Sequence, residues 1–304
     1  MSHGATIGIC AYNEGSNIAQ LLGNILREQK LPALSEVIVV CSGCTDRTVE
    51  IAREYANRDS RIRVLVENQR RGKASAINQI LAHAKGDSIL FVSADTLPNK
   101  GCFQRLLSKL QLPNVGIVCG NPIPINNSNG LVDKLVQILW SFHSHVFQQL
   151  NDLGLARHAT EIFCIRKGII SRIPMETIND DAYIALMTKK RGWLIKYDEI
   201  SRVSICGPQT FVDYFNQRRR VLVGHHQVKK MTGEAPQHLL YLLPLHPIRV
   251  VKLFLWLFKK HGFLSVLAFT SIELSLNLIS MVDSISRKTP NIWKVSTSTK
   301  SVKV

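Results

Sequence analysis

Short apolar runs and helical stretches alternate along the first part of this chain, and that alternation restricts the fold more than any other feature. Residues 5–10, 36–41, 62–67 and 87–93 are short β-branched or apolar runs. Between them, near 17–28, 46–57 and 74–84, the apolar residues fall at helical spacing. Repetition of strand, helix and strand gives a mostly parallel, Rossmann-like sheet flanked by helices, because parallel neighbours need a crossover. Thr45 stands where it would cap the second helix, and Leu97-Pro98 marks the end of the turn after the fourth strand. Ligands of such sheets sit beyond the carboxyl ends of the strands, so the loops after Cys10, Cys41, Glu67 and Ser93 are the ones to read.

Those loops, and two later segments, carry polar residues in a definite order. Ile7 to Gly15 reads I-G-I-C-A-Y-N-E-G, a strand that ends in Tyr12-Asn13-Glu14. Val39 to Thr48 reads V-V-C-S-G-C-T-D-R-T, and Arg70 to Asn78 reads R-R-G-K-A-S-A-I-N. Phe91 to Thr96, F-V-S-A-D-T, ends the fourth strand. Asn179 to Leu186, N-D-D-A-Y-I-A-L, precedes Arg191-Gly192-Trp193. Gln217-Arg218-Arg219-Arg220-Val221 falls in a helical pattern over 209–231, with Gln217 and Arg220 on one face.

In this order, over about Thr6 to Lys230, the elements resemble the family-2 glycosyltransferases of the GT-A fold. The resemblance implies a nucleotide-sugar-binding α/β domain that transfers a sugar with inversion, as a hexosyltransferase does. It implies that Tyr12, Asn13 and Glu14 contact the base and ribose of a nucleotide. Gly43, Thr45, Asp46 and Thr48 match the family's second motif, whereas Cys41 and Ser42 stand where two acids are usual. Ser42 could still accept a hydrogen bond from a base, more weakly than a carboxylate, which leaves the donor open between UDP and GDP sugars. Lys73 lies in the lysine-bearing segment with Arg71 nearby, and Asp95 is the acid of the D-x-D region, with Ser93 in place of its first acid. The Asp180-Asp181 pair matches the acidic block that supplies the base. Counting back from Gly192 puts that role on Asp181, with Asp180 as the alternative. Gln217, Arg218 and Arg220 resemble the Q-x-x-R-W motif of polymerising members, with Val221 replacing the tryptophan that would stack on a sugar acceptor.

The chemistry asks for these residue types on its own account. A diphosphate needs its charge neutralised, and Mg²⁺ or Mn²⁺ is a hard ion held by carboxylate, phosphate and water oxygens, so one Asp at a strand end, Asp95, suffices. Inversion needs a carboxylate facing the acceptor hydroxyl opposite the leaving group, the task for Asp181 or Asp180. A forked guanidinium such as Arg220 stabilises charge on the departing diphosphate. Glu161 is placed beside the acceptor pocket by the resemblance alone. Adjacent His225 and His226, and His143 with His145, lack the spacing of helical metal ligands.

A net charge of +16 favours anionic partners, and its clusters lie beside apolar segments rather than among interleaved aromatics, which selects a membrane surface over nucleic acid. Past Pro236 the composition shifts: 239–258 is apolar but interrupted, and 262–282 is mostly apolar with one acid, Glu273. The second stretch is long enough to span a bilayer, yet Lys259 and Lys260 precede it and Arg287, Lys288 and Lys294 follow it. Basic flanks on both sides favour a shallow hairpin or interfacial pair, and a pair of buried helices is the alternative. The expected organisation is a catalytic domain over 1–235, a membrane-associating helical segment over 236–286 and a basic tail over 287–304. No apolar leader follows Met1, which points to the cytoplasmic side of a membrane, peripheral or shallowly inserted, with a sugar, lipid or glycan acceptor. Two rivals are weighed: a non-catalytic membrane-docking protein of the same fold, and a sugar-phosphate nucleotidyltransferase, whose Gly-rich basic loop after the first strand is missing. Seven cysteines include one C-x-x-C, Cys41 and Cys44, without the second pair of a zinc site.

Overall fold

The computed structural model describes residues 4–29, 31–126, 130–236 and 246–286. The expected basic tail, with Arg287, Lys288 and Lys294, and the start of the 239–258 segment lie outside them. The alternation folds as read: β1 (Ala5–Ala11), α1 (Ile18–Arg27), β2 (Leu34–Ser42), α2 (Thr48–Arg58), β3 (Ile62–Glu67), α3 (Lys73–His83) and β4 (Ser88–Ser93). β1 pairs in parallel with β2 and β4, and β2 with β3. Sheet alternation then sends Ile7, Ile9, Val37 and Val39 to one face, beneath α1, and Ile38 and Val40 to the other, beneath α3. Gly8 faces α3 because a Cβ there would sit 2.6 Å from Ile80 Cγ2.

The second half is mixed. β5 (Thr96–Pro98), α4 (Cys102–Leu110), β6 (Val115–Pro124), α5 (Leu131–Asp152), β7 (Ile162–Arg166), α6 (Asp180–Lys190) and β8 (Leu194–Ile205) complete one eight-stranded sheet of order β3-β2-β1-β4-β7-β6-β8-β5. β7 runs antiparallel between β4 and β6, and β5 antiparallel to β8, while β6 and β8 are parallel. β8 is one long strand whose register against β6 shifts between Cys119 and Asn121. At that irregularity buried Asp198 receives Lys109 Nζ at 2.7 Å, Arg105 Nε at 3.1 Å and Ser201 Oγ at 2.6 Å. Burial opposes ionisation of Asp198, but these donors prevail and hold its carboxyl at about 2.

A helical layer lies over one end of the sheet. α7 (Phe211–Thr232) begins at Thr210, whose side chain accepts from Asp213 N, and ends at Gly233 with φ 73°. α8 (Pro247–His261) and α9 (Phe263–Ser286) follow and bury Val250, Leu253, Leu257, Val266, Phe269 and Leu276 against α5 and α7. α9 is pinned along its length. Arg218 Nη2 meets Glu273 Oε2 at 2.7 Å, Tyr214 Oη donates to Glu273 Oε1 at 2.9 Å, and Arg219 Nη2 meets Asp283 Oδ1 at 2.7 Å. Both members of the Arg218–Glu273 pair are nearly buried, so removing one strands the other in an apolar setting. Glu273→Leu is therefore expected to lower unfolding free energy by about 3 kcal/mol in denaturant titration, and a double replacement, Arg218→Met with Glu273→Leu, to recover most of it.

Candidate active site

The loops at the carboxyl ends of β1 and β2 are stitched together. Asn13 sits in the left-handed region at φ 52°, which asparagine tolerates, and its side chain both donates to Thr45 Oγ1 (3.1 Å) and accepts from Thr45 N (2.8 Å). Glu14 N donates to Thr48 Oγ1 at 2.7 Å, and Asn17 Nδ2 to Glu14 Oε2 at 2.9 Å. Thr45, expected to cap α2, is instead engaged with Asn13; the cap position is Arg47, which makes no side-chain cap bond, and Asp46 just before it accepts from Thr48 N through Oδ1 at 3.0 Å. Its other oxygen accepts from Gly15 N at 2.9 Å. Burial works against the Asp46 carboxylate, yet the Thr48 and Gly15 donors keep it below the usual carboxylate range. Buried Ser42 accepts from Arg71 N at 3.0 Å, and the Arg70 guanidinium lies 4.1 Å over the Tyr12 ring. The β1, β2 and β3 loops therefore form one rigid rim.

Lys73, the first residue of α3, crosses from this rim to the start of α6, where its Nζ lies 2.9 Å from Asp180 Oδ2. Asp180 is buried, and Asn179 precedes it as the helix cap residue. Lys73, Ser93, Glu161 and Asp180 line one small cavity. Burial disfavours the Lys73 charge, but Asp180 and Asp181 outweigh it and raise the ammonium above the ordinary lysine value. Glu161, just ahead of β7, is pushed up to about 7 by burial and then by Asp181, and it also feels Lys73 and Asp95. Asp181 accepts from Ala182 N at 2.7 Å and is raised, chiefly by burial, against the pull of His158. Asp95 lies in the tight turn between β4 and β5, half-exposed. Among the described residues no group of three or more His, Cys, Asp or Glu is arranged to hold a metal. A single open carboxylate fits a hard divalent ion whose other ligands are phosphate and water oxygens.

The three arginines of the α7 motif part company. Arg218 and Arg219 point at α9 and are held by Glu273 and Asp283. Arg220 is exposed and enters no ion pair among the described residues. Gln217, Arg220, Gly224 and Gln227 follow one another at steps of three, four and three residues and so share one face of α7, and Gly224 and Gln227 pack on the segment leading into Asp180. Gln227 Oε1 accepts from Ile178 N at 2.9 Å, and a Cβ on Gly224 would meet Asn179 Cβ at 2.8 Å. That face of α7 therefore looks toward the acidic pair.

Sequence reasoning passed over one group here. His158, buried in the loop before β7, has Nε2 4.0 Å from Asp181 Oδ1 and 3.4 Å from His225 Nε2. The two histidines are 67 residues apart, so no spacing rule on a single helix could have joined them.

With this geometry in view, comparison with known proteins is direct. The sheet and helices define a GT-A-type α/β fold. A mannosyltransferase from Pyrobaculum calidifontis, PcManGT, solved with GDP-Man and Mn²⁺, superposes with a TM-score of 0.66 at 21% identity over 94% of this chain and 88% of that one. Glucosyl-3-phosphoglycerate synthase from Mycobacterium tuberculosis, solved with Mn²⁺ and UDP, gives a TM-score of 0.55 at 16% identity over 77% of this chain and 81% of that one. The sequence model of glycosyl transferase family 2 matches residues 6–173, and the chain belongs to that family. A poly-β-1,6-N-acetyl-D-glucosamine synthase of Staphylococcus aureus is 27% identical over 235 residues, covering 74% of this chain and 55% of that protein. The chain thus spans about half the length of that relative.

Gly43 gives a local test of the rim. Its φ is 63°, and a Cβ there would lie 2.3 Å from Arg70 N, a backbone atom that cannot swing away. Gly43→Ala is expected to cost at least about 1 kcal/mol of stability in urea titration, through strain and the forced separation of the β2 and β3 loops.

Proposed function

We propose that this chain transfers a sugar, with inversion, from a nucleotide-diphosphate sugar to an acceptor hydroxyl at the cytoplasmic face of a membrane. The observation that carries the reading is the gathering of Lys73, Asp95, Glu161, Asp180 and Asp181 at the carboxyl ends of the central strands. A nucleotide would lie on the Tyr12, Asn13, Glu14 and Ser42 rim, with Asp46 bracing the loops. Asp95 would hold Mg²⁺ or Mn²⁺, which when bound neutralises diphosphate charge. Asp181 removes the acceptor proton, since its raised carboxyl is a better base than an ordinary aspartate and stands apart from the Lys73–Asp180 pair. Arg220, with Gln217 beside it, meets the leaving diphosphate, a role supported by its exposed guanidinium on the α7 face nearest Asp180. Arg218 is assigned instead to docking α9. The relatives solved with GDP-Man and with UDP keep both nucleotides in view, and the acceptor is a sugar, lipid or glycan.

The membrane half of the reading rests on α8 and α9. Leu264, Leu274, Leu278, Val282 and Ile285 of α9 are exposed, as are Ile248, Val251 and Leu255 of α8, with Lys252 and Lys259 exposed and Arg249 half-buried among the α8 residues. An apolar sheet of this size edged by cations suits the headgroup region of anionic lipid. Glu273 and Asp283 tie α9 to α7, which carries Arg218, Arg219, Arg220, Lys229 and Lys230, so α9 lies along the membrane plane rather than across it.

Chelator-sensitive thermal stabilisation by a panel of UDP and GDP sugars tests the donor site. Asp95→Asn is expected to abolish the metal-dependent part of the shift, and Asp181→Asn to keep the shift but slow sugar transfer at least about 100-fold. Full transfer by both variants would refute the reading. In flotation with vesicles, binding to phosphatidylglycerol is expected to exceed binding to phosphatidylcholine. It should fall at least about tenfold in a Leu274→Asp, Leu278→Asp variant whose melting temperature is unchanged.

A further inference from the structure

Asp181 is not an isolated base. His158 presents to it an imidazole whose orientation is fixed from three sides. Nδ1 faces the Ala159 carbonyl oxygen, which only accepts, so that nitrogen carries a proton. Phe147 and His143 of α5 pack edge-on against the ring. Nε2 is left facing Asp181 Oδ1 at 4.0 Å and His225 Nε2 at 3.4 Å. When His158 is neutral its Nε2 can accept from His225 N–H; when His158 is protonated, the same nitrogen donates, and the other His225 tautomer accepts. His225 thus satisfies both charge states of His158, which a fixed donor or acceptor could not do.

His225 reaches this position because α7 comes unusually close to the chain entering α6. Gly224, the preceding residue, packs where a Cβ would lie 2.8 Å from Asn179 Cβ, two residues before Asp181. The charged and titratable groups around the pair are Asp180 on α6, Lys73 on α3, Glu161 before β7, His143 on α5 and Arg218 on α7. Lys73 is committed to Asp180 at 2.9 Å, and Arg218 to Glu273 at 2.7 Å. His143 is held neutral, down to about 3, by burial and then by His158 and Arg218. Apart from Lys73 and Arg218, which are committed elsewhere, the basic side chain that faces Asp181 is the His158 imidazole.

The geometry points to His158, backed by His225, as a positioning residue that controls the charge of the Asp181 base through its own protonation. A gap of 4.0 Å is too long for a hydrogen bond, so His158 acts through its field and not by taking the acceptor proton itself. The inference rests on the proposed role of Asp181. The sign follows from charge: a protonated His158 favours the Asp181 carboxylate and lowers its pKa, opposing the burial that raises it. Removing His158 leaves burial and Asp180 without that counterweight, so Asp181 protonates at higher pH.

Two measurements test this. In the first, nucleoside diphosphate release from UDP-glucose or GDP-mannose is followed against pH. The acid limb for His158→Gln is expected to lie about one pH unit above that of the unsubstituted protein, with rates converging at high pH. Acid limbs that coincide overturn the inference. The second needs no turnover: imidazole NMR of the full chain follows His158 in Asp181→Asn, where loss of the carboxylate is expected to lower the His158 midpoint by at least about half a pH unit. An unmoved midpoint also overturns it. Because this titration is read without sugar transfer, failure of the coupling is distinguished from failure of the transferase reading, which the Asp95→Asn and Asp181→Asn transfer rates decide.

Discussion

A carboxylate as buried as Asp180 persists in its charged form only beside a cation, and Lys73 supplies one at 2.9 Å. This ion pair ties the start of α3 to the start of α6. Lys73 opens α3 in the parallel half, where the loops after β1 and β2 are stitched by Asn13, Thr45 and Asp46. Asp180 opens α6, which follows the antiparallel insertion of β7 between β4 and β6. With the two helix starts fixed to each other, Asp181 is placed against Glu161 and His158. The division of labour between the adjacent acids then follows from their partners: one is neutralised by a lysine, the other is left to respond to pH.

The same economy governs the arginine-rich turn of α7. Successive residues on a helix point about 100° apart, so Arg218, Arg219 and Arg220 cannot all meet one partner. Arg218 and Arg219 face α9 and find Glu273 and Asp283; Arg220 does not. One turn of helix thereby fastens the apolar appendage and offers a guanidinium toward the acidic site.

Legibility in the sequence tracked how local each signal was. The parallel half could be read strand by strand, because each strand is a compact apolar run and each helix repeats at its own period. The antiparallel half could not. β5 is three residues ending in Pro98, and β7 is five, while β8 carries an irregularity that splits its pattern into what looks like two strands. Asp46 and Thr45 were both visible in their motif, but which one bonds the first N–H of α2 depends on Asn13 competing for Thr45 from another loop. Arg218 read as a ligand-binding residue because its motif could be seen and its partner, 55 residues away, could not. A clue was present all the same: Glu273, an acid in the middle of an apolar stretch, requires a cation, and α7 had five to offer.

The histidines carry the same lesson further. A test of spacing along one helix asks whether side chains i and i+4 converge, and it rejects His225 and His226 correctly on those terms. It is silent on His158, which lies in a loop and is brought to His225 by the close approach of α7 at Gly224. A glycine inside a 22-residue helix is costly by about 1 kcal/mol relative to alanine, and a helix accepts that cost where something must come near. Here what comes near is Asn179, the residue that precedes the acidic pair. The glycine, more than either histidine, was the readable sign that α7 touches the chemistry.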